Sequence, residues 1–250
     1  MEMIYKILLI AEFSVSIPVF ILLFFISAPY GKFVKSGWGP SLNARAGWMI
    51  MEFPAVALPI FYFLISGNRG NASLTVLLLI WELHYVQRTF VYPLLLNRNS
   101  RKMPVLIVFF AFCFNLMNGT VNGYGIYSHS ASAAELLHSF RLIPGLILFL
   151  AGFLINLHSD SILRNLRKPG ETEYKIPRKG LFRLVCSPHY FGEILEWTGW
   201  VILTWSVAGA AFLVFTIANL VPRAVSHLKW YRSHFPDFPP ERKAVFPFLL

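Results

Sequence analysis

Residues 73–96 read SLTVLLLIWELHYVQRTFVYPLLL. As a helix rising about 1.5 Å per residue, this run is long enough to cross the roughly 30 Å hydrocarbon layer of a bilayer. Yet it carries Glu82, His84 and Arg88 within it. An ionisable side chain in hydrocarbon costs about 2.5–3.5 kcal/mol on insertion scales, so each one asks for an interior partner or a function. Trp81, Tyr85, Arg88 and Tyr92 step by four, three and four, which places them on one helix face. The stretch therefore predicts a membrane-spanning helix whose polar face looks inward.

Comparable apolar runs recur at about 4–28, 46–66, 103–123, 142–158, 191–205 and 207–230. The chain is 56% hydrophobic and 14% charged, against about 45–50% and about 25% in soluble domains, which excludes a water-soluble globule and a disordered chain. The first run has no small-residue cleavage site and is read as a helix, not a signal peptide. Only Trp205-Ser206 and Gly209 mark a break between the last two runs, so one kinked helix over 191–222 is the alternative there. The connections 29–45, 97–102, 159–190 and 223–250 together hold 18 of the 22 Lys and Arg residues. That bias assigns them to the cytosol, with the N-terminus outside and the C-terminus inside. Opposite termini need an odd number of spans. The expectation is an all-α polytopic membrane protein of seven transmembrane helices, one domain over 1–250, without internal repeats.

The net charge of +10 calls for an anionic partner: nucleic acid, anionic lipid or a phosphate-bearing ligand. Cys113 and Cys186 form no metal or disulfide pattern, the histidines are scattered, and no phosphate-binding glycine motif occurs. Other polar residues share helix faces: Trp48 with Glu52, Asn156 with Asp160, Glu193 with Glu196, and Arg223 with His227 and Tyr231. Bland readings exist for several. Glu193 and Glu196 read equally as a cap and a salt-bridge pair to the neighbouring basic loop, Trp48 and Tyr92 as interfacial or core aromatics, and the basic loops as topology alone. Glu52, between Met51 and Phe53, fits such a reading less well. An unpaired carboxyl in hydrocarbon is carried as the neutral acid. A neutral carboxyl and a tyrosine hydroxyl are both donors, and together they make an oxyanion-type site for a carbonyl oxygen.

The segment from Asn156 to Gly170, NLHSDSILRNLRKPG, extends this reading. With Tyr174-Lys-Ile-Pro177, Gly180-Leu-Phe182 and Gly192-Glu-Ile-Leu-Glu-Trp197, it resembles the steroid 5α-reductase family. The likeness continues in Trp48…Glu52-Phe-Pro54, in His84-Tyr85 through Tyr92, and in the ending Arg242-Lys-Ala…Pro247-Phe, so it covers nearly the whole chain in order. The resemblance implies seven transmembrane helices and NADPH-dependent reduction of the Δ4 double bond of 3-oxosteroids. It matches Glu52 and Tyr85 to the catalytic pair that hydrogen-bonds the 3-keto oxygen. It sets Trp48, Arg88, Tyr92, Asn97 and Arg98 at cofactor-binding positions. Asn156, Asp160, Arg164, Arg167 and Tyr174 fall there too, as do His189, Glu193, His227 and Tyr231. Guanidinium groups suit phosphates because they donate bidentate, charge-assisted bonds. Met51, His189 and Lys175 stand where relatives often carry Gln, Asn and Arg. The implied partners are a hydrophobic 3-oxo-Δ4 steroid and membrane lipid, with no nucleic acid and no metal, and the protein is expected as a monomer.

Other readings remain at this point. Trans-2-enoyl-CoA reductase and polyprenol reductase belong to the same superfamily, and an isoprenylcysteine-type methyltransferase shares a site at the cytosolic mouth of its helices. A transporter or lipid-binding protein is the non-enzymatic alternative, opposed by the lack of inverted repeats. The expected location is the bacterial inner membrane or the endoplasmic reticulum.

Overall fold

Hydrocarbon offers no partner to a backbone N–H or C=O, so an apolar chain satisfies both internally by forming helices. The computed structural model describes residues 1–29, 31–33, 37–96, 102–167, 171 and 173–250. Its helices are α1 (Glu2–Phe25), α2 (Ala44–Ile65), α3 (Ala72–Val86), α4 (Tyr92–Leu95), α5 (Val105–His129), α6 (Ala131–Ala134), α7 (Leu142–Arg164), α8 (Pro188–Thr204) and α9 (Val207–His234). A π-helical turn, Gln87–Val91, joins α3 to α4. Two short strands, β1 (Ser41–Leu42) and β2 (Met103–Pro104), pair antiparallel. By length and composition α1, α2, α5, α7 and α9 are apolar enough to cross a membrane. The 15-residue α3 and 17-residue α8 are shorter than these five.

The side chains are sorted as a bilayer sorts them. In α1 the buried residues are Glu12 and Ser16, while Ile10, Ile17 and Phe25 are 66%, 65% and 82% exposed. Polar inside and apolar outside is the reverse of a helix on a water-soluble protein. The interior is aromatic: Trp81 lies 5.1 Å from Trp200 and Trp197 lies 4.4 Å from Phe212, ring centre to ring centre. Pro59 in α2 has no N–H for the carbonyl of Ala55 one turn earlier. Trp81 Nε1 of α3 fills that vacancy, donating to Ala55 O at 2.8 Å. The helices α7 and α8 approach backbone to backbone, because a Cβ on Gly152 would stand 2.4 Å from Glu196 N and one on Gly192 2.7 Å from Gly152 O.

The connections gather at two ends. At one end Asn68 donates to Tyr127 O, Asn71 to Ala134 O, and Ser130 to Thr204 O. At the other, β1 pairs with β2, Lys32 sits over the Tyr231 ring, Arg242 donates to Pro177 O at 2.8 Å, and Arg178 pairs with Asp237 at 2.6 Å. The alternative of one kinked helix over 191–222 is corrected. Helix α8 stops at Thr204, Trp205 takes a left-handed φ of 48°, and Ser206 caps α9 by accepting from Gly209 N at 3.0 Å. Left-handed backbone at a tryptophan is unusual and ends a helix outright. Three helices also run past their expected ends, α5 to His129, α7 to Arg164 and α9 to His234. Polar residues carry each helix on beyond the apolar run that hydropathy detects.

Candidate active site

The span that begins with α3 carries Glu82, His84, Tyr85, Arg88 and Tyr92, and the turn that follows α3 is not α-helical. The Tyr92 N–H reaches back five residues to Gln87 O, just ahead of Pro93, which has no N–H to donate. Such single wide turns inside helices occur often at functional sites. Here the turn sets Arg88 against two rings: its guanidinium carbon lies 4.5 Å from the Trp48 ring centre and 4.7 Å from that of Tyr92. Arg88 also meets Asp160 Oδ2 of α7 at 3.3 Å and Glu193 Oε1 of α8 at 3.7 Å. One turn earlier, His84 Nδ1 and Glu196 Oε1 are 2.8 Å apart in a wholly buried pair. The loop-capping reading of Glu193 and Glu196 is thereby corrected: both carboxylates turn to α3.

Glu52 and Tyr85 come from different helices and meet a common third. On α5, Asn115 Nδ2 donates to Glu52 Oε2 at 3.0 Å and to Met51 O at 2.7 Å. One turn further on, Asn118 Nδ2 donates to Tyr85 Oη at 3.4 Å. Side chains three apart on a helix are neighbours, about 5–6 Å between Cβ atoms. The two groups thus face one short stretch of α5, beside the Trp81 and Trp197 rings, which lie 4.8 and 5.8 Å from the Tyr85 ring.

The remaining expected cofactor residues lie toward the end that holds β1 and β2. Asn156 Nδ2 donates to His189 O at 3.1 Å, and Ser187 Oγ lies 3.1 Å from His227 Nδ1. Arg167 packs over Tyr174 at 5.1 Å. Tyr231 stacks on Phe238 and receives Lys32 Nζ 4.1 Å from its ring centre. His189 connects the two groups, its ring 6.3 Å from that of His227. Asn97 and Arg98 lie outside the described residues. Lys32 is surrounded by Phe33, Trp230 and Tyr231, and this burial pulls its ammonium down to about 7, with Cys186 opposing. Burial pushes the Cys186 thiol up to about 11. Among the described residues, Arg164 Nη1 and His189 Nδ1 are buried polar atoms with no hydrogen-bond partner.

A family model described as 3-oxo-5-alpha-steroid 4-dehydrogenase matches residues 101–250. The chain is 41% identical over 246 residues to a steroid 5-alpha-reductase of Gossypium hirsutum, covering 96% of this chain and 95% of that protein. It is 40% identical over 245 residues to 3-oxo-5-alpha-steroid 4-dehydrogenase 1 of Bos taurus, covering 96% and 94%. Against 3-oxo-5-alpha-steroid 4-dehydrogenase 1 of Homo sapiens the identity is 40% over 222 residues, covering 88% and 85%. The chain belongs to the 3-oxo-5-alpha-steroid 4-dehydrogenase family. This is a family of oxidoreductases.

In this steroid dehydrogenase family member, reading by residue spacing overlooked Asn115, Asn118, Asn122 and Lys32. The asparagines step by three and four inside one apolar run, a helix-face signal as plain as that of Trp81 and Tyr85. Lys32 gave no such signal, because Trp230 and Tyr231, the two rings nearest its ammonium, are remote in sequence. The His84–Glu196 pair makes a clear demand on stability. Removing one member leaves the other buried alone, which costs about 3–5 kcal/mol, whereas replacing both by apolar residues is close to neutral. Thermal unfolding in detergent should therefore rank His84→Leu and Glu196→Leu well below the double variant. A double variant less stable than either single one would show that the two are not a coupled pair.

Proposed function

We propose that this protein reduces the Δ4 double bond of a 3-oxo-Δ4 steroid with NADPH, giving the 5α-dihydro product. The observation that carries the reading, beside the family, is that Glu52 and Tyr85 face one turn of α5 within an aromatic interior. Both act as donors to the substrate's 3-keto oxygen. Drawing electron density onto that oxygen depletes C5 of the conjugated enone, and the donors' bonds strengthen as enolate charge grows there. When bound, the reduced nicotinamide supplies hydride to C5 and leaves oxidised, while C4 takes up a proton.

The unpartnered Arg164 Nη1 and the basic residues of 159–190 suit an anionic cofactor, and the unpartnered His189 Nδ1 suits its amide. Arg164 and Arg167 are the phosphate partners in this reading, since charge-assisted bonds to phosphate are the strong ones. Trp48, Tyr92, Asn156 and Asp160 line its inner part, and Tyr174, His227 and Tyr231 its outer part. Lys32, over Tyr231, adds a cation there once it takes up a proton. The aromatic interior and lipid-facing surface suit a steroid arriving from the bilayer. Seven spans, with 97–102, 159–190 and the C-terminus in the cytosol, follow from the basic bias and agree with the gathering of connections at two ends. The protein acts as a monomer in this reading.

Three measurements test these statements. With purified protein, NADPH and a testosterone-type substrate, loss of enone absorbance reports the reaction. Tyr85→Phe and Glu52→Ala should each lower kcat on the order of 10²–10³, the usual cost of one oxyanion donor, with cofactor binding kept. Turnover near wild type in both removes the pair from the mechanism. An enoyl-CoA reduced in place of the steroid reassigns the substrate.

The cofactor has its own signature. Lys32 is largely neutral above pH 7 in the free protein, so binding a phosphate there requires proton uptake. NADPH affinity should then weaken as pH rises from about 6.5 to 8.5, by up to about tenfold per unit, and Lys32→Met should lessen that slope. An unchanged slope in the variant excludes Lys32, and equal use of NADH shows that none of these cations recognises the phosphate by which NADPH differs from NADH. For topology, cysteines placed in 67–72 and in 159–190 should label from opposite faces of sealed vesicles. Labelling from the same face refutes the seven-span arrangement.

A further inference from the structure

One face of α5 supplies amides to both members of the proposed pair, and these amides have a fixed polarity. Trp200 Nε1 of α8 donates to Asn122 Oδ1 at 3.1 Å, Asn122 Nδ2 donates to Asn118 Oδ1 at 2.7 Å, and Asn118 Nδ2 donates to Tyr85 Oη at 3.4 Å. Asn118, Asn122 and Trp200 are buried to within 1%, so water does not substitute for any of them. An indole N–H is a donor only. It therefore holds the oxygen of Asn122 toward Trp200, which turns its nitrogen to Asn118, which in turn presents its own nitrogen to Tyr85. The Tyr85 oxygen is occupied as an acceptor, and its hydrogen remains for another partner.

We infer that Trp200, Asn122 and Asn118 form a directional relay that keeps the Tyr85 hydroxyl as a donor toward the substrate carbonyl. They are positioning residues acting through Tyr85. Each bond of the relay polarises the next, which makes the phenol a better donor than an isolated one. Asn115 does the same for Glu52. The carbonyl of Met51 accepts only, so it fixes the Asn115 nitrogen on that side, where it also meets Glu52 Oε2. The acid proton of Glu52, when present, is then left on Oε1. Without Trp200 and Asn122 the Asn118 amide is free to rotate by half a turn and offer Tyr85 its oxygen, and the phenol hydrogen would turn inward, away from the carbonyl.

The inference rests on the role of Tyr85 proposed above, and a double-mutant cycle separates the two. Asn118→Leu and Trp200→Phe are each made in the wild type and in Tyr85→Phe. Each alone should lower kcat about 3- to 10-fold, the worth of one neutral hydrogen bond, with NADPH affinity unchanged. In the Tyr85→Phe background neither should cost more than about 2-fold further, because nothing remains to orient. Equal losses in both backgrounds overturn the relay and make these residues merely structural, and so does wild-type turnover in the two single variants. If Tyr85→Phe itself turns over like wild type, the proposed role of Tyr85 fails instead. Trp200→Phe touches neither pair member and keeps its ring, so it decides the matter should Asn118→Leu fail to fold.

Discussion

A polar side chain in hydrocarbon has to find its partner on another helix, and in this protein α3 is where most of those partnerships meet. His84 reaches α8, Tyr85 reaches α5, and Arg88 reaches both α7 and α8. None of these bonds closes within α3 itself. Together they tie this span to α5, α7 and α8 at defined heights, so the helices cannot slide or rotate independently without stranding a charge or an amide. Apolar contacts alone would not do this, because lipid tails are as apolar as leucine and give helices little reason to prefer one another. The polar set thus fixes the geometry of the interior, and the site is made of the same groups.

Small residues and prolines extend this logic to the backbone. The glycines of α7 and α8 let two helices touch closely enough to bring Asp160 and Glu193 to one guanidinium. The proline at 59 exposes a carbonyl that Trp81 uses, which anchors the aromatic wall beside Tyr85. The wide turn at 87–91 lets Arg88 lie between Trp48 and Tyr92 while still reaching its two carboxylates.

Hydropathy made the helices legible, since a bilayer imposes their length, and helical period made the face of Trp81, Tyr85 and Arg88 legible. What neither could show was partnership. Glu193 and Glu196 sit beside a basic loop in sequence but pair in space with Arg88 and His84, whose side chains are largely buried, whereas Lys175, Arg178, Lys179 and Arg183 of the loop are exposed. The π turn was invisible for a related reason: it preserves composition and changes only the register by one residue. Asn115, Asn118 and Asn122 were hidden by their chemistry. An amide carries no charge, so it raised no alarm within an apolar run, although its cost when unpaired is real. Met51 stands where relatives often carry Gln, and Asn115 brings an amide from α5 to the Met51 carbonyl and to Glu52.

The division of the interior into a neutral part and a charged part has a physical sense of its own. The hydrogen-bond partners of Tyr85 itself form a neutral set of amides and an indole, whereas the charged groups beside it pair off, His84 with Glu196 and Arg88 with Asp160 and Glu193, and further cations lie toward the end that holds Arg167. A fixed cation beside the carbonyl would have to be stripped of water before any substrate arrived, and that desolvation would be charged to every state of the reaction. Neutral donors avoid it. Their bonds to a ketone are modest and grow only when the oxygen becomes negative, so the stabilisation falls mainly on the transition state. A phosphate-bearing cofactor poses the opposite problem: it is charged throughout and needs permanent countercharge near water. In the proposed reaction the two requirements meet near the nicotinamide, and the Arg88 cluster, with carboxylates already neutralising it, is the kind of boundary that lets the charged half end without spreading its field into the neutral one.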